Sequence, residues 1–208
     1  MQKKKEKVKK ILVFLKELFP DSKIVLEYSN PWELYVAVVL SAQTTDKKVN
    51  EVTSSLFNKY KTLKDYQNAS LEEFQNDIRQ IGLFRNKAKN ILSSAKMVDE
   101  NYHGKIPDTM DGLLKLPGVG RKTANILLGN LYQKYEGIAV DTHVQRLSRL
   151  FGLTNEKDPN KIEKDLMEIV PHDEWFNITY LLIDYGRAYC PAHCKHTDCP
   201  LREFIVSK

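Results

Sequence analysis

The segment LPGVGRKTANILLG, Leu116 to Gly129, joins two helical patterns through a turn that holds Gly118 and Gly120. Glycine permits the left-handed or crowded backbone that so tight a turn demands. Met110 to Leu116 supplies the first helix and Arg121 onward the second, with Ala124, Leu127 and Leu128 on its packing face. The pattern is a helix-hairpin-helix. Backbone N–H groups of such a turn, aimed outward at the start of a helix, make a site for one phosphate without reading sequence. Gly118, Val119, Gly120 and Arg121 are therefore candidate DNA-binding positions. Spacing excludes two other glycine-rich loops: a dinucleotide fingerprint needs glycine where Thr123 stands, and a Walker A loop needs glycine in place of Arg121. A helix C-cap accounts for one glycine but not for the cluster PGVGRK.

Working outward, helical periodicity dominates. Val8, Ile11, Leu12, Leu15, Leu18 and Phe19 recur at helical spacing until Pro20. Asn30, Pro31 and Glu33 combine an N-cap, a first-position proline and a capping-box acid, so a helix is predicted from Pro31 through Leu40, its apolar residues almost continuous. Val49, Val52, Leu56, Phe57 and Tyr60 mark the next. Ser70 with Glu73 caps another carrying Phe74, Ile78 and Ile81 before Gly82, and Ala88 to Val98 follows. Val144 to Phe151, Lys161 to Val170 and Trp175 to Ala188 read the same way, and no stretch sustains period-two alternation. The expected class is all-α, with ten or so short helices.

The 208 residues, 42% hydrophobic and 28% charged, suffice for one sizeable core or two small ones. The longest apolar stretch, Leu34 to Ala42, is far shorter than the ~20 residues of a membrane span. The opening MQKKKEKVKK lacks the apolar region of a secretory signal, and three cysteines make no disulfide framework, so a cytoplasmic protein is expected, nucleoid-associated if prokaryotic. The formal charge of +5 is carried entirely by residues 1 to 10, leaving the remainder neutral overall. Global charge thus argues little for nucleic acid, a lysine-rich start being more often a solvated helix end than a binding arm.

Lys122 falls in the first turn of the hairpin's second helix, where the macrodipole and adjacent Arg121 both disfavour an ammonium ion, so its pKa is expected to fall. A neutral amine can attack a sugar C1′ and form a Schiff base. The bland alternative is a surface lysine on a phosphate. Nineteen residues later, AVDTHVQRL places Asp141 between an apolar pair and a helical pattern, as a candidate catalytic carboxylate or a helix N-cap.

These two motifs, in this order, resemble the endonuclease III family of helix-hairpin-helix DNA glycosylases. The resemblance puts Lys122 at the catalytic lysine and Asp141 at the catalytic aspartate. LSAQTTD is similar to the family loop whose glutamine fills the gap left by an extruded base, implicating Gln43. IGLFRNKAKNI resembles the segment whose leucine wedges into the opposite strand, implicating Leu83, and His143 of VDTHV joins the candidate DNA contacts. The implied fold is a six-helix domain over residues 25–136 and a second domain from 1–24 plus 137–208, with the active-site cleft between them. The implied activity is bifunctional, removing oxidised pyrimidines from double-stranded DNA and cleaving abasic sites by β-elimination, the protein acting as a monomer. The alternatives are a monofunctional mismatch (thymine or uracil) glycosylase of the same fold and a non-catalytic DNA-binding module.

GRAYC, Gly186 to Cys190, resembles the start of the family's iron–sulfur loop, which has four cysteines. Here Cys190, Cys194 and Cys199 are separated by three and four residues and no fourth exists. His193 and His196 are the candidate fourth ligands. A 4Fe-4S cluster is implied by analogy, and zinc or no metal are the alternatives.

Overall fold

The structure is a computed structural model and describes residues 1–195 and 197–206. Among the described residues there are eleven α-helices, two short 3-10 turns and no strand. The chain divides into two units, one formed by Val25–Lys134 and the other by Met1–Ile24 with Tyr135–Lys208.

Val25–Lys134 contains α2 (Pro31–Ser41), α3 (Asp46–Lys59), α4 (Leu63–Asn68), α5 (Leu71–Asp77), α6 (Phe84–Tyr102), α7 (Met110–Leu114) and α8 (Arg121–Tyr132). The caps read from sequence are formed: Asn30 accepts from the Glu33 N–H at 3.0 Å, and Ser70 from the Glu73 N–H at 3.1 Å. The Glu33 carboxylate reaches one residue further back than a standard capping box, to the Ser29 N–H at 2.6 Å. Helix α2 is buried from Glu33 to Leu40 and packs against α3, α6 and α8. A helix surrounded by others needs apolar residues all round, hence its unbroken hydrophobic run. Trp32, Tyr35, Tyr60, Tyr66 and Phe74 cluster at one end of this core. Helix α4 is the element that periodicity does not show. Six residues are too few for a repeat, and a capping box between Thr62 and Asp65 secures it instead.

Met1–Ile24 with Tyr135–Lys208 packs α1 (Gln2–Leu18), α9 (Thr142–Leu150), α10 (Pro159–Ile169) and α11 (Trp175–Ala188) around one core. Val8, Ile11, Leu12 and Leu15 are the buried face of α1. Its lysines lie at or near the surface, as a solvated helix start should, with the Lys4 ammonium donating to the Leu153 carbonyl at 3.0 Å. Helices α9 and α11 pack closely at Gly186, where a Cβ would stand 2.3 Å from His143 Nδ1. The cysteine segment is tied down from both sides. The Tyr185 hydroxyl accepts the Leu201 N–H at 3.1 Å, and Val206 N–H donates to the Leu150 carbonyl at 3.0 Å.

Candidate active site and DNA-contacting loops

The hairpin turn is built as its glycines require. Gly118 has φ +79°, and a Cβ there would lie 2.4 Å from Asn90 Nδ2, so both backbone and packing exclude a side chain. Gly120 differs: nothing would lie within 4 Å of its Cβ, so it leaves the start of α8 open. As N-cap it offers no side-chain acceptor, and the first helical bond is from the Ala124 N–H to the Gly120 carbonyl at 2.9 Å. Donors of the first turn therefore point outward without an i−4 partner. The Val119 N–H is not among them, because it donates to the Leu116 carbonyl at 3.1 Å, and the Val119 side chain is buried. From below, the Tyr35 hydroxyl lies 2.6 Å from Ser94 Oγ and 3.3 Å from the Pro117 carbonyl. Burial pushes this phenol well above the ordinary tyrosine range, so it remains a donor.

Lys122 is the second residue of α8 and its side chain is exposed beside those donors. Asp141 is the N-cap of α9, its Oδ1 accepting the Val144 N–H at 2.8 Å. The cap function weighed from sequence is thus present. A carboxylate keeps further acceptor capacity on its other oxygen, so capping and catalysis are compatible. The segment leading to Asp141, Ile138 to Val140, is buried, and Thr179 of α11 donates to the Ala139 carbonyl at 3.1 Å. His143 lies half-buried against Gly186.

Gln43 and Leu83 share a property that no sequence pattern carries. Both are exposed and both hold left-handed backbones, with φ 54° and 58°. The other non-glycine residues with positive φ among the described residues, His103 and Gln133, terminate helices α6 and α8, where that conformation is routine. The two loops touch: a Cβ on Gly82 would lie 3.1 Å from the Gln43 carbonyl oxygen. Lys87, which no sequence motif singles out, is only 5% exposed and donates to the carbonyls of Leu40, at 2.9 Å, and Ala42, and to Thr44 Oγ1 at 3.3 Å. Burial pushes its ammonium down to about 8.

The Sγ atoms of Cys190, Cys194 and Cys199 all lie within 4.8 Å of one another, with Cys194 and Cys199 3.2 Å apart. Arg146 of α9 donates to Cys190 Sγ at 3.5 Å and to its carbonyl at 2.5 Å. Among the described residues these three thiols are the set that converges. His193 is exposed and outside it, and His196 lies outside the described residues.

Residues 36–172 match the family model described as HhH-GPD superfamily base excision DNA repair protein. The chain is 49% identical over 187 residues to endonuclease III of Bacillus subtilis, covering 89% of this chain and 85% of that protein. With endonuclease III of Synechocystis the identity is 43% over 192 residues, covering 92% and 88%. The chain belongs to the endonuclease III family. A solved non-covalent endonuclease III–DNA complex superposes with TM-score 0.92 at 43% identity, covering 97% of this chain and 94% of that one. A trapped endonuclease III–DNA covalent intermediate superposes equally well, at TM-score 0.92 and 43% identity, covering 97% and 95%. A thermostable thymine-DNA glycosylase, 22% identical with TM-score 0.81, shares the endonuclease III fold. The four-cysteine set that the resemblance implies is not met by this chain, whose converging donors are three thiols.

Proposed function

We propose that this chain is a base-excision repair enzyme, a bifunctional DNA glycosylase and abasic-site lyase that removes oxidised pyrimidines from duplex DNA. The observation that carries the reading is Lys122, an exposed amine in the first turn of the helix whose N-terminus forms the phosphate-binding hairpin. The hairpin holds one backbone phosphate, Gln43 and Leu83 enter the stack, and the damaged nucleotide swings out of the duplex. Extrusion costs less where the lesion has already weakened pairing.

Deprotonated Lys122 attacks C1′ of the extruded nucleotide as the C1′–N bond to the base breaks, the base leaves with a proton equivalent to the one the amine loses, and the resulting N,O-acetal opens its ring to give a Schiff base. Asp141 stabilises the positive charge that develops on the sugar and relays the proton that opens the ring. Loss of a C2′ proton then expels the 3′ phosphate by β-elimination and cuts the strand, and water releases the amine. A hydrolytic glycosylase has no such amine and leaves the strand intact. Borohydride added during reaction with an oxidised-base or abasic duplex reduces the Schiff base to a stable cross-link. Trapping at Lys122 is expected, and base release without trapping or nicking would replace this reading with the monofunctional one.

For the tail, we infer a single bound metal ion rather than a cluster. Cys190, Cys194 and Cys199, whose Sγ atoms all lie within 4.8 Å of one another, would hold such an ion, and zinc accepts thiolate donors of this kind. A fourth ligand would have to come from water or from one of the two histidines singled out in the sequence, His193 and His196. No step of the reaction passes through this ion. Its role is to brace the chain after α11. The substrate is double-stranded DNA, and the protein acts as a monomer in the cytoplasm, on the nucleoid if prokaryotic. No helix of the described residues is long and apolar enough to cross a membrane.

A further inference from the structure

A buried lysine whose acceptors are all uncharged oxygens calls for an explanation, because removing an ammonium from water is costly unless every donor is satisfied. Lys87 meets that condition through the Leu40 and Ala42 carbonyls and the Thr44 hydroxyl. Leu40 is in the last turn of α2, where carbonyls lack helical partners and the macrodipole is negative. The three acceptors also bracket Gln43 on both sides. A left-handed backbone is strained for a non-glycine residue and persists only where its surroundings enforce it. The enforcing contacts are Lys87, the Thr44 N–H to Ser41 carbonyl bond at 3.1 Å, and the abutting Gly82.

Lys87 is one turn along α6 from Leu83, the residue that starts the helix, and its backbone N–H donates to the Leu83 carbonyl at 3.1 Å. One residue therefore connects to Gln43 and Leu83, by its side chain to the Gln43 loop and by its main chain to Leu83. We propose that Lys87 is a positioning residue for base extrusion, tying the Gln43 loop to the helix that carries Leu83 so that both side chains enter the duplex in a fixed relation. The proposal rests on the reading that Gln43 and Leu83 are the inserting residues. An apolar side chain at 87 would fill the space but leave the loop carbonyls unpaired and the loop unset.

The experiment compares single-turnover strand cleavage on two abasic duplexes, one with a base opposite the lesion and one with a gap there. The gap removes the orphan base, so insertion is needed only on the first. Lys87→Met slows the paired substrate roughly 10- to 100-fold, the scale of a misplaced positioning group, and leaves the gapped one nearly unchanged. With 2-aminopurine opposite the lesion, its fluorescence change on binding shrinks. Equal slowing on both substrates, or none, overturns the proposal. Gln43→Ala and Leu83→Ala run alongside: if neither is selective for the paired substrate, the insertion reading itself fails, a result distinct from failure at Lys87 alone. Should Lys87→Met not fold, Thr44→Val removes one acceptor at nearly constant volume. The same selectivity, weaker, is then expected, and its absence overturns the proposal.

Discussion

The Asn90 side-chain amide occupies the space that a Cβ at Gly118 would need, with Nδ2 2.4 Å from that position. Helix α6 thus packs against the hairpin through a contact that only glycine allows. Gly118→Ala is expected to destabilise the protein by about 1 kcal/mol for the left-handed backbone alone, with the clash adding to it. Asn90→Ala in the same chain relieves the clash but not the φ strain, so thermal unfolding of the double variant falls between that of the single variant and the parent. DNA affinity, measured across salt concentrations, falls alike for damaged and undamaged duplex, because the hairpin reads phosphate rather than base.

Lys122→Gln removes the nucleophile and keeps the length of an exposed side chain. Borohydride cross-linking and nicking are expected to vanish while binding to an abasic-analogue duplex stays within a few-fold. Titration of labelled duplex measures the second quantity, and a matching collapse of affinity would assign Lys122 to phosphate binding instead.

Asp141 can be separated into its two tasks. Asn caps a helix about as well as Asp, so Asp141→Asn keeps the bond from the Val144 N–H and removes only the charge. Cleavage is expected to slow about 10²- to 10³-fold, the scale of one lost electrostatic stabiliser, with the melting temperature nearly unchanged. Asp141→Ala loses the cap as well, a further cost of about 1 kcal/mol that calorimetry reads.

The Lys87 ammonium, lowered to about 8 by burial, leaves a pH signature in stability. Between pH 8 and its ordinary value of 10.5 the unfolded chain holds this proton and the folded chain has released it. Raising pH through that window therefore favours folding at this site, and below pH 8 the burial penalty is present in full. Buried tyrosines such as Tyr35 and Tyr66, pushed upward, act in the opposite sense near the top of the window. The measurement is thus a difference: denaturant unfolding of the parent should gain stability with pH relative to Lys87→Met.

For the cysteine segment, anaerobically purified protein is expected to contain one zinc per chain. Substitution by cobalt should give the intense visible bands of a tetrahedral thiolate site. Four irons per chain with a broad absorption near the blue end would instead establish a cluster on an altered ligand set. Cys194→Ser should lower metal content and loosen residues 190–206, read by hydrogen exchange, while cleavage by the metal-depleted remainder persists.

Features set by neighbours in the chain were legible from residues alone. Asn30 and Ser70 cap their helices because the acceptor and the N–H it serves are three positions apart. The spacing of Gly118 and Gly120 marks the hairpin for the same local reason, and the continuous run in α2 announces burial on every side. Lys122 and Asp141 stand out as candidates through motif and order, and the cap, one of the two roles the sequence offers Asp141, is formed. What escaped were arrangements between distant segments. Helix α4 is too short to show a period, and Lys87 acts on residues more than forty positions away. The sequence carries no sign that Gln43 and Leu83 hold left-handed backbones, since neither is glycine, or that Val119 turns its N–H inward.

Local chemistry in the chain was enough to determine most of the helices, their caps and the hairpin, while the roles proposed for Lys122 and Asp141 come from the family resemblance. Only packing decided how the exposed loops are held, because a strained backbone or a buried charge is stable solely when several remote groups converge on it. Helix α6 does this in the unit formed by Val25–Lys134, meeting the Gln43 loop through Lys87 and the hairpin through Asn90.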